Sequence, residues 1–273
     1  ENKKSNCRRI RGIRMIKFCN LYSGSSGNST YIEYNDTRIL IDAGVSCQKI
    51  CNGLSELGVS LDMIDAILIT HEHTDHTKGL TTISKKYNTQ IYATNKTWSQ
   101  MSALKLPEFN HIAFNANESF NIGELNIEPF SIPHDAIDPC AFCILADGKK
   151  ITVATDIGHV DDTIYNKLVG SDILLLESNY EPNTLMNGNY PYFLKKRIAG
   201  DFGHLSNESA SKVVKRLYDD TGISNIILGH LSKENNFPEL AYQTVVNEFG
   251  KMPEKLNLTV ASRDTIDNAL LLA

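Results

Sequence analysis

The chain has 273 residues, 41% of them hydrophobic and 22% charged, with a formal net charge of −5. That length affords one large domain or two small ones around a sizeable core. The acidic balance excludes a protein that grips nucleic acid with its whole surface. No apolar stretch approaches a membrane span and there is no signal-peptide pattern, so no membrane association and a cytoplasmic location are the expectations.

Residues 1–14 hold Lys3, Lys4, Arg8, Arg9, Arg11 and Arg14 against Glu1 alone, so the remaining body is more acidic than the total. This basic N-terminal extension has no apolar periodicity and reads as a disordered arm, an upstream translation extension or an appended segment, outside the fold in each case. The folded domain is expected over 15–273.

Strand-like runs open that domain at Met15–Tyr22, Thr30–Tyr34 and Arg38–Asp42, the first two flanking a Ser/Gly loop. Helical spacing follows over Cys47–Leu57, closed by Gly58, then an apolar strand over 66–70, a ligand-rich loop and a helix from Gly79 to Tyr87. Short strands and a helix fill 91–106. Further strands are expected near 110–114, 125–131, 140–146 and 150–155. A helix at 161–168 leads to a strand at Asp172–Glu177. The last third alternates helices near 191–198, 206–219 and 237–249 with strands at 225–228 and 256–260. Strands gathered early with helices interspersed throughout predict an α/β protein of two sheets with helices outside.

Six cysteines in a long chain with no secretory pattern read as reduced thiols rather than disulfides. Cys140 and Cys143 form a C-x-x-C inside an apolar strand-like run, which favours buried thiols over a metal knuckle.

The most informative run is His71-Glu72-His73-Thr74-Asp75-His76, which directly follows the apolar strand 66–70. Alternate side chains of a strand share a face, so His71 and His73 can chelate one ion as the strand ends. The chain then turns, and Asp75 and His76 can reach a second ion beside it. Imidazole and carboxylate donors suit zinc, manganese or iron. His134 stands just past the strand 125–131, Asp156 ends the strand Ile151-Thr152-Val153-Ala154-Thr155, and His230 ends the strand Ile226-Ile227-Leu228-Gly229. Strand C-termini are where α/β scaffolds present site residues.

This order, H-x-H-x-D-H followed by His, Asp and His at strand ends, resembles the metallo-β-lactamase superfamily over residues 15–273. The resemblance implies an αββα four-layer sandwich carrying two divalent metal ions at one edge. It implies His71, His73 and His134 on the first ion, Asp75, His76 and His230 on the second, and Asp156 bridging them. No ligand is replaced by Cys, unlike some antibiotic-hydrolysing members, so a lactamase function is not expected.

Gly203-His204-Leu205-Ser206-Asn207-Glu208 opens a helix and resembles the His motif of phosphodiesterase members of the superfamily. There the His is not a ligand but serves the leaving oxygen or the phosphate. Glu177, ending a strand, resembles the acidic partner of that His; a carboxylate beside an imidazole orients it and raises its pKa. Longer motifs resemble the YycJ (WalJ) family: Ser23-Gly24-Ser25-Ser26-Gly27-Asn28-Ser29, Ala154-Thr155-Asp156-Ile157-Gly158-His159-Val160, the Gly203 motif, and Gly229-His230-Leu231-Ser232-Lys233-Glu234-Asn235-Asn236. Members are regarded as cytoplasmic bacterial DNA exonucleases acting from the 5′ end.

The resemblance therefore implies a dinuclear-metal phosphodiesterase using a metal-activated hydroxide, with Asp75, His204 and Glu177 in catalytic roles. Ser25, Asn28, Ser206 and Asn207 are candidate substrate contacts. The Ser/Gly loop can be read either as a phosphate-binding nest or as a simple turn. Lys195, Lys196 and Arg197 are candidates for holding a strand, or a solvated helix face. The alternatives are a thioester or lactone hydrolase, a small-molecule phosphodiesterase or an RNA nuclease on the same scaffold. DNA is the favoured substrate, a delivery protein is possible in view of the acidic body, and the oligomeric state is left open.

Overall fold

A computed structural model describes residues 15–273, and the basic extension 1–14 lies outside the described residues. The strands are β1 (Ile16–Tyr22), β2 (Ser29–Tyr34), β3 (Thr37–Ile41), β4 (Ala66–Leu68), β5 (Gln90–Thr94), β6 (His111–Phe114), β7 (Phe120–Ile122), β8 (Leu125–Ser131), β9 (Cys140–Ala146), β10 (Lys149–Ala154), β11 (Ile173–Glu177), β12 (Asn225–Gly229), β13 (Asn257–Val260) and β14 (Leu270–Leu272). The helices are α1 (Cys47–Glu56), α2 (Thr74–Thr77), α3 (Leu80–Lys86), α4 (Asn95–Gln100), α5 (Asp162–Leu168), α6 (Pro182–Asn187), α7 (Tyr192–Ile198), α8 (Asn207–Thr221) and α9 (Pro238–Phe249).

Two seven-stranded sheets form, in the orders β14-β1-β2-β3-β4-β5-β6 and β13-β12-β11-β10-β9-β8-β7. Each is half antiparallel hairpins and half parallel crossovers: β3 to β6 run parallel in the first sheet and β10 to β13 in the second. Strand alternation decides the layers. In β4, Ala66 and Leu68 face the other sheet and join Ile39, Phe142, Val153 and Leu175 in the central core. Ile67 points the opposite way, into a cluster with Ile50 and Leu54 of α1 and with Leu80 and Ile83 of α3. In β11, Leu174 and Leu176 pack on Val214 and Leu217 of α8 and on Ala241 and Val245 of α9. Three apolar layers between four structural layers make the αββα sandwich.

The strands that are buried on both faces read as unbroken apolar runs, which is why β11 and β12 stand out in the sequence. β14 and β7 are unforeseen. Leu270-Leu271-Leu272 has no alternation, and its partner β1 lies at the other end of the chain. The ligand-rich segment is not simply a loop: Thr74–Thr77 forms the short helix α2, so Asp75 and His76 are carried on a helical turn. The helix expected from Gly79 starts one residue later, with Gly79 as its N-cap.

Candidate metal centre

Parallel strands end on the same edge, and that edge gathers the site. His71 follows β4, His134 follows β8, Asp156 follows β10, Glu177 ends β11 and His230 follows β12. Asp156 and His230, together with Asp42 after β3, adopt left-handed backbone conformations with φ of 59°, 55° and 63°. Asp and His tolerate that region better than most residues, yet it costs on the order of 1 kcal/mol each, and such strain concentrates at functional sites.

Ligand atoms of His71, His73 and His134 lie within 4.8 Å of one another, as do those of Asp75, His76 and His230. Asp156 stands between the two groups. Its Oδ1 is 3.6 Å from His134 Nε2 and 3.5 Å from His230 Nε2, and its Oδ2 is 3.2 Å from His76 Nε2. Asp75 Oδ2 is 3.5 Å from His76 Nε2 and 3.4 Å from His230 Nε2. The seven candidate ligands therefore converge on one edge, and His71, His76 and Asp156 also lie within 4.8 Å of one another.

The donor set fits divalent metal. Among the described residues the buried His71 Nε2 has no hydrogen-bond partner, an arrangement that is costly unless something else satisfies it. On four of the five imidazoles it is Nδ1 that is held by protein. His71 Nδ1 is 3.0 Å from Thr70 Oγ1, His76 Nδ1 is 2.7 Å from Asp42 Oδ2, His134 Nδ1 is 3.1 Å from Gly203 O and His230 Nδ1 is 2.8 Å from Glu177 Oε1. That leaves Nε2 facing inward, as metal-binding imidazoles are ordinarily fixed. The donors are all nitrogen and oxygen, a set that accepts zinc, manganese or iron.

Burial, with the charge of His76 added, pushes His71 well below its ordinary pKa, and burial lowers His134 as well, so both imidazoles are neutral and ready to bind. At the other group burial acts in the same direction but is outweighed. Asp42, Asp156 and Asp75 raise His76, and Asp156, Asp75 and Glu177 raise His230 to about 10. Asp75 is correspondingly lowered, burial being overcome by His76 and His230.

His204 lies against the same cluster, outside the two triads, and its ligand atom lies within 4.8 Å of those of Asp156, Glu177 and His230. Its Nδ1 is 2.8 Å from Glu177 Oε1 and 3.8 Å from Asp156 Oδ1. Burial would lower its pKa, but the Glu177 carboxylate outweighs burial and raises it. Glu177 itself is fully buried, and its Oε2 accepts from the backbone N–H groups of Ile157 and Leu205. Ser206 caps α8 immediately beyond, accepting from Ser209 N.

The other predicted contacts divide. Asn28 Nδ2 lies 3.2 Å from His76 Nε2, while its Oδ1 accepts from Gly24 N. Ser25 is exposed at the tip of the same loop. The amides of Ser23, Gly24, Gly27 and Asn28 are already bonded to protein acceptors, which favours the turn reading over the nest. Asn207 is buried, bonded to Ser178 and Asn236, and Ser206 is engaged in the cap, so these two support the fold around the site. Lys195 donates to Met186 O, Lys196 lies over the Tyr192 ring, and Arg197 pairs with Asp135. Cys140 and Cys143 are buried in β9 and bond to Thr70 O and Lys167 O.

Sequence reasoning missed Asp42, Thr70 and Asn179. Asp42 accepts from Thr70 N and Thr70 Oγ1 while holding His76, and Asn179 Nδ2 donates to His230 O. The available signal for Asp42 was a carboxylate ending the strand next to β4.

Two sheets, a common edge and seven convergent His and Asp donors define a metal-dependent hydrolase of the metallo-β-lactamase fold. A family model for the Beta-lactamase superfamily domain matches residues 37–230. The chain is 39% identical over 241 residues to the exodeoxyribonuclease WalJ of Streptococcus pneumoniae serotype 2, covering 86% of this chain and 89% of that one. It is 33% identical over 232 residues to the exodeoxyribonuclease YycJ of Bacillus anthracis, covering 84% and 88%. Among solved structures, the metallo-β-lactamase fold protein YhfI of Bacillus subtilis superposes with a TM-score of 0.69 at 16% identity, over 93% of this chain and 99% of that one. The chain belongs to the WalJ/YycJ family of the β-lactamase superfamily.

Proposed function

We propose that this protein is a metal-dependent exodeoxyribonuclease that hydrolyses DNA from the 5′ end in the cytoplasm. The observation that carries the reading is the His204–Glu177 pair: an imidazole outside the two triads, half-buried and raised in pKa by its carboxylate partner, standing beside the His and Asp donors. The names of the WalJ and YycJ relatives support DNA as substrate. Among the described residues no helix is long and apolar enough to cross a membrane.

His71, His73 and His134 would hold the first ion, Asp75, His76 and His230 the second, with Asp156 shared. Bound there, divalent ions supply Lewis acidity at the phosphoryl oxygens and acidify water toward neutrality. The remaining work belongs to the chain. Asp75, on the exposed side of its ligand group, accepts a hydrogen bond from the attacking water and aligns it. Glu177 fixes His204 Nδ1–H, leaving His204 Nε2 to carry a proton to the departing oxygen. A thiolate departs without help from an acid, so a proton donor in this position disfavours thioester hydrolysis.

The test is turnover of the metal-loaded protein on linear DNA, RNA, a small aryl phosphodiester and a thioester under one set of conditions. The reading expects DNA to be preferred. Preference for the thioester, or for RNA, would overturn it.

A further inference from the structure

A cleft of about 340 Å³ opens beside the second ligand group, lined by Ser26, Val45, Ser46, Lys49, Lys78, Lys233, Arg263 and Asp264. Its walls are continuations of the site. Ser26 belongs to the loop whose Asn28 lies 3.2 Å from His76 Nε2. Lys78 follows His76 by two residues and Lys233 follows His230 by three. Arg263 Nη2 donates to the carbonyl of Leu231, next to His230.

Four cations meet one carboxylate here, in a chain whose net charge is −5. Among the described residues Asp264 pairs only with Lys49, at 3.6 Å between exposed groups, an arrangement that water largely screens. Lys78 and Lys233 have no carboxylate partner among the described residues. The Arg263 Nε is buried with no acceptor among the described residues. It lies 3.2 Å from where a Cβ on Gly24 would stand, so the glycine lets the side chain approach the loop closely. Ser46 is the N-cap of the ten-residue helix α1, whose N-terminal N–H groups add positive potential at the cleft wall. The alternative basic run on the His204 side is already used locally, Arg197 by Asp135 and Lys195 by Met186 O.

We propose that this cleft is a phosphate-backbone subsite for the nucleic-acid strand whose scissile linkage lies at the metal centre. The proposal rests on the phosphodiesterase reading and adds where the strand runs: past the Ser/Gly loop and α1, on the side of His76 and His230. Unpaired cations gather where a polyanion must be held in register, and their contacts make binding salt-dependent.

The test measures binding of a 5′-phosphorylated, fluorescently labelled single strand of about twenty nucleotides, with hydrolysis-resistant phosphorothioate linkages, to the metal-loaded protein. Lys78→Gln/Lys233→Gln is expected to raise Kd about tenfold and to flatten the slope of log Kd against log salt by about 1.4, two contacts at roughly 0.7 each. Lys251→Gln/Lys255→Gln is the control for net charge: it lies before β13, at the end of the sheet opposite His230, and is expected to leave Kd within about twofold. If Lys78→Gln disturbs metal loading, Lys49→Gln/Lys233→Gln gives the same readout away from the ligand run. An unchanged Kd and slope, an equal loss in the control, or no binding by the unsubstituted protein would overturn the subsite. Binding that depends on the cleft, with no DNA hydrolysis, would keep the subsite and overturn the exonuclease reading instead.

Discussion

His204 and His230 share one carboxylate oxygen: Glu177 Oε1 lies 2.8 Å from Nδ1 of each. The same buried side chain thus orients a candidate metal ligand and the candidate proton donor, while its Oε2 pins the loops after β10 and before α8. Glu177→Gln cannot serve four donors with one carbonyl oxygen. Activity is expected to fall about 10²-fold or more, with metal affinity falling about 10–100-fold as well. His204→Ala is expected to lower activity by a similar factor with metal content unchanged. Kinetics beside metal analysis separates the two; equal metal retention in both variants would contradict the shared-oxygen account.

Asp42 is expected to matter for the metal centre although it is not in any ligand group. Its Oδ2 is 2.7 Å from His76 Nδ1 and both oxygens accept from Thr70 Oγ1. Asp42→Asn removes the charge that fixes the His76 ring. Zinc affinity, titrated against a chromophoric chelator, is expected to drop about 10–100-fold. Unaltered affinity would show that His76 is held by its other neighbours.

Gly44, after β3, packs tightly against the backbone of α2. A Cβ there would stand 1.6 Å from Asp75 O. Gly44→Ala must push Asp75 and His76 away from β3, so it is expected to lower the melting temperature and to lose metal together. A variant with unsubstituted melting temperature and full metal content would contradict this packing.

A pH effect is expected at a carboxylate outside the candidate ligand groups. Burial raises Asp267 from 3.8 to about 6, against hydrogen bonds from Ser262 N and Asn20 Nδ2 that lower it. The folded state therefore keeps this proton to higher pH than the unfolded state does. Stability from this group is fully present below about 4 and is lost as pH rises through about 6. Asp267→Asn removes that loss. Asn20 Oδ1 is buried without a partner, so a flip of the Asn20 amide satisfies the new donor. The variant is expected to gain stability at pH 8 relative to pH 4, by at most about 3 kcal/mol. A stability difference that stays flat between those pH values would contradict the assignment.

Much of the site was legible because metal chemistry restricts residue types. Four donors within six residues after an apolar strand have few other uses, and His134, Asp156 and His230 each follow a recognisable buried strand. Glu177 was legible only as a partner of His204; its bond to His230 depends on β11 and β12 being neighbours, which no local pattern encodes. Asp42 escaped for the same reason, since a lone carboxylate after a strand is as often a cap. β7 and β14 escaped because three-residue edge strands carry too little alternation to read. Lys78, Lys233 and Arg263 are scattered over the chain, and only the fold assembles them into one cleft.

The most direct measurement follows 5′-labelled and 3′-labelled linear duplex DNA with metal-stripped protein re-supplied with manganese or zinc, and with His204→Ala alongside. The account predicts metal-dependent shortening from the 5′ end that is lost in His204→Ala. Shortening without added metal, equal rates in the variant, or intact DNA with turnover of an acyl ester instead would contradict it.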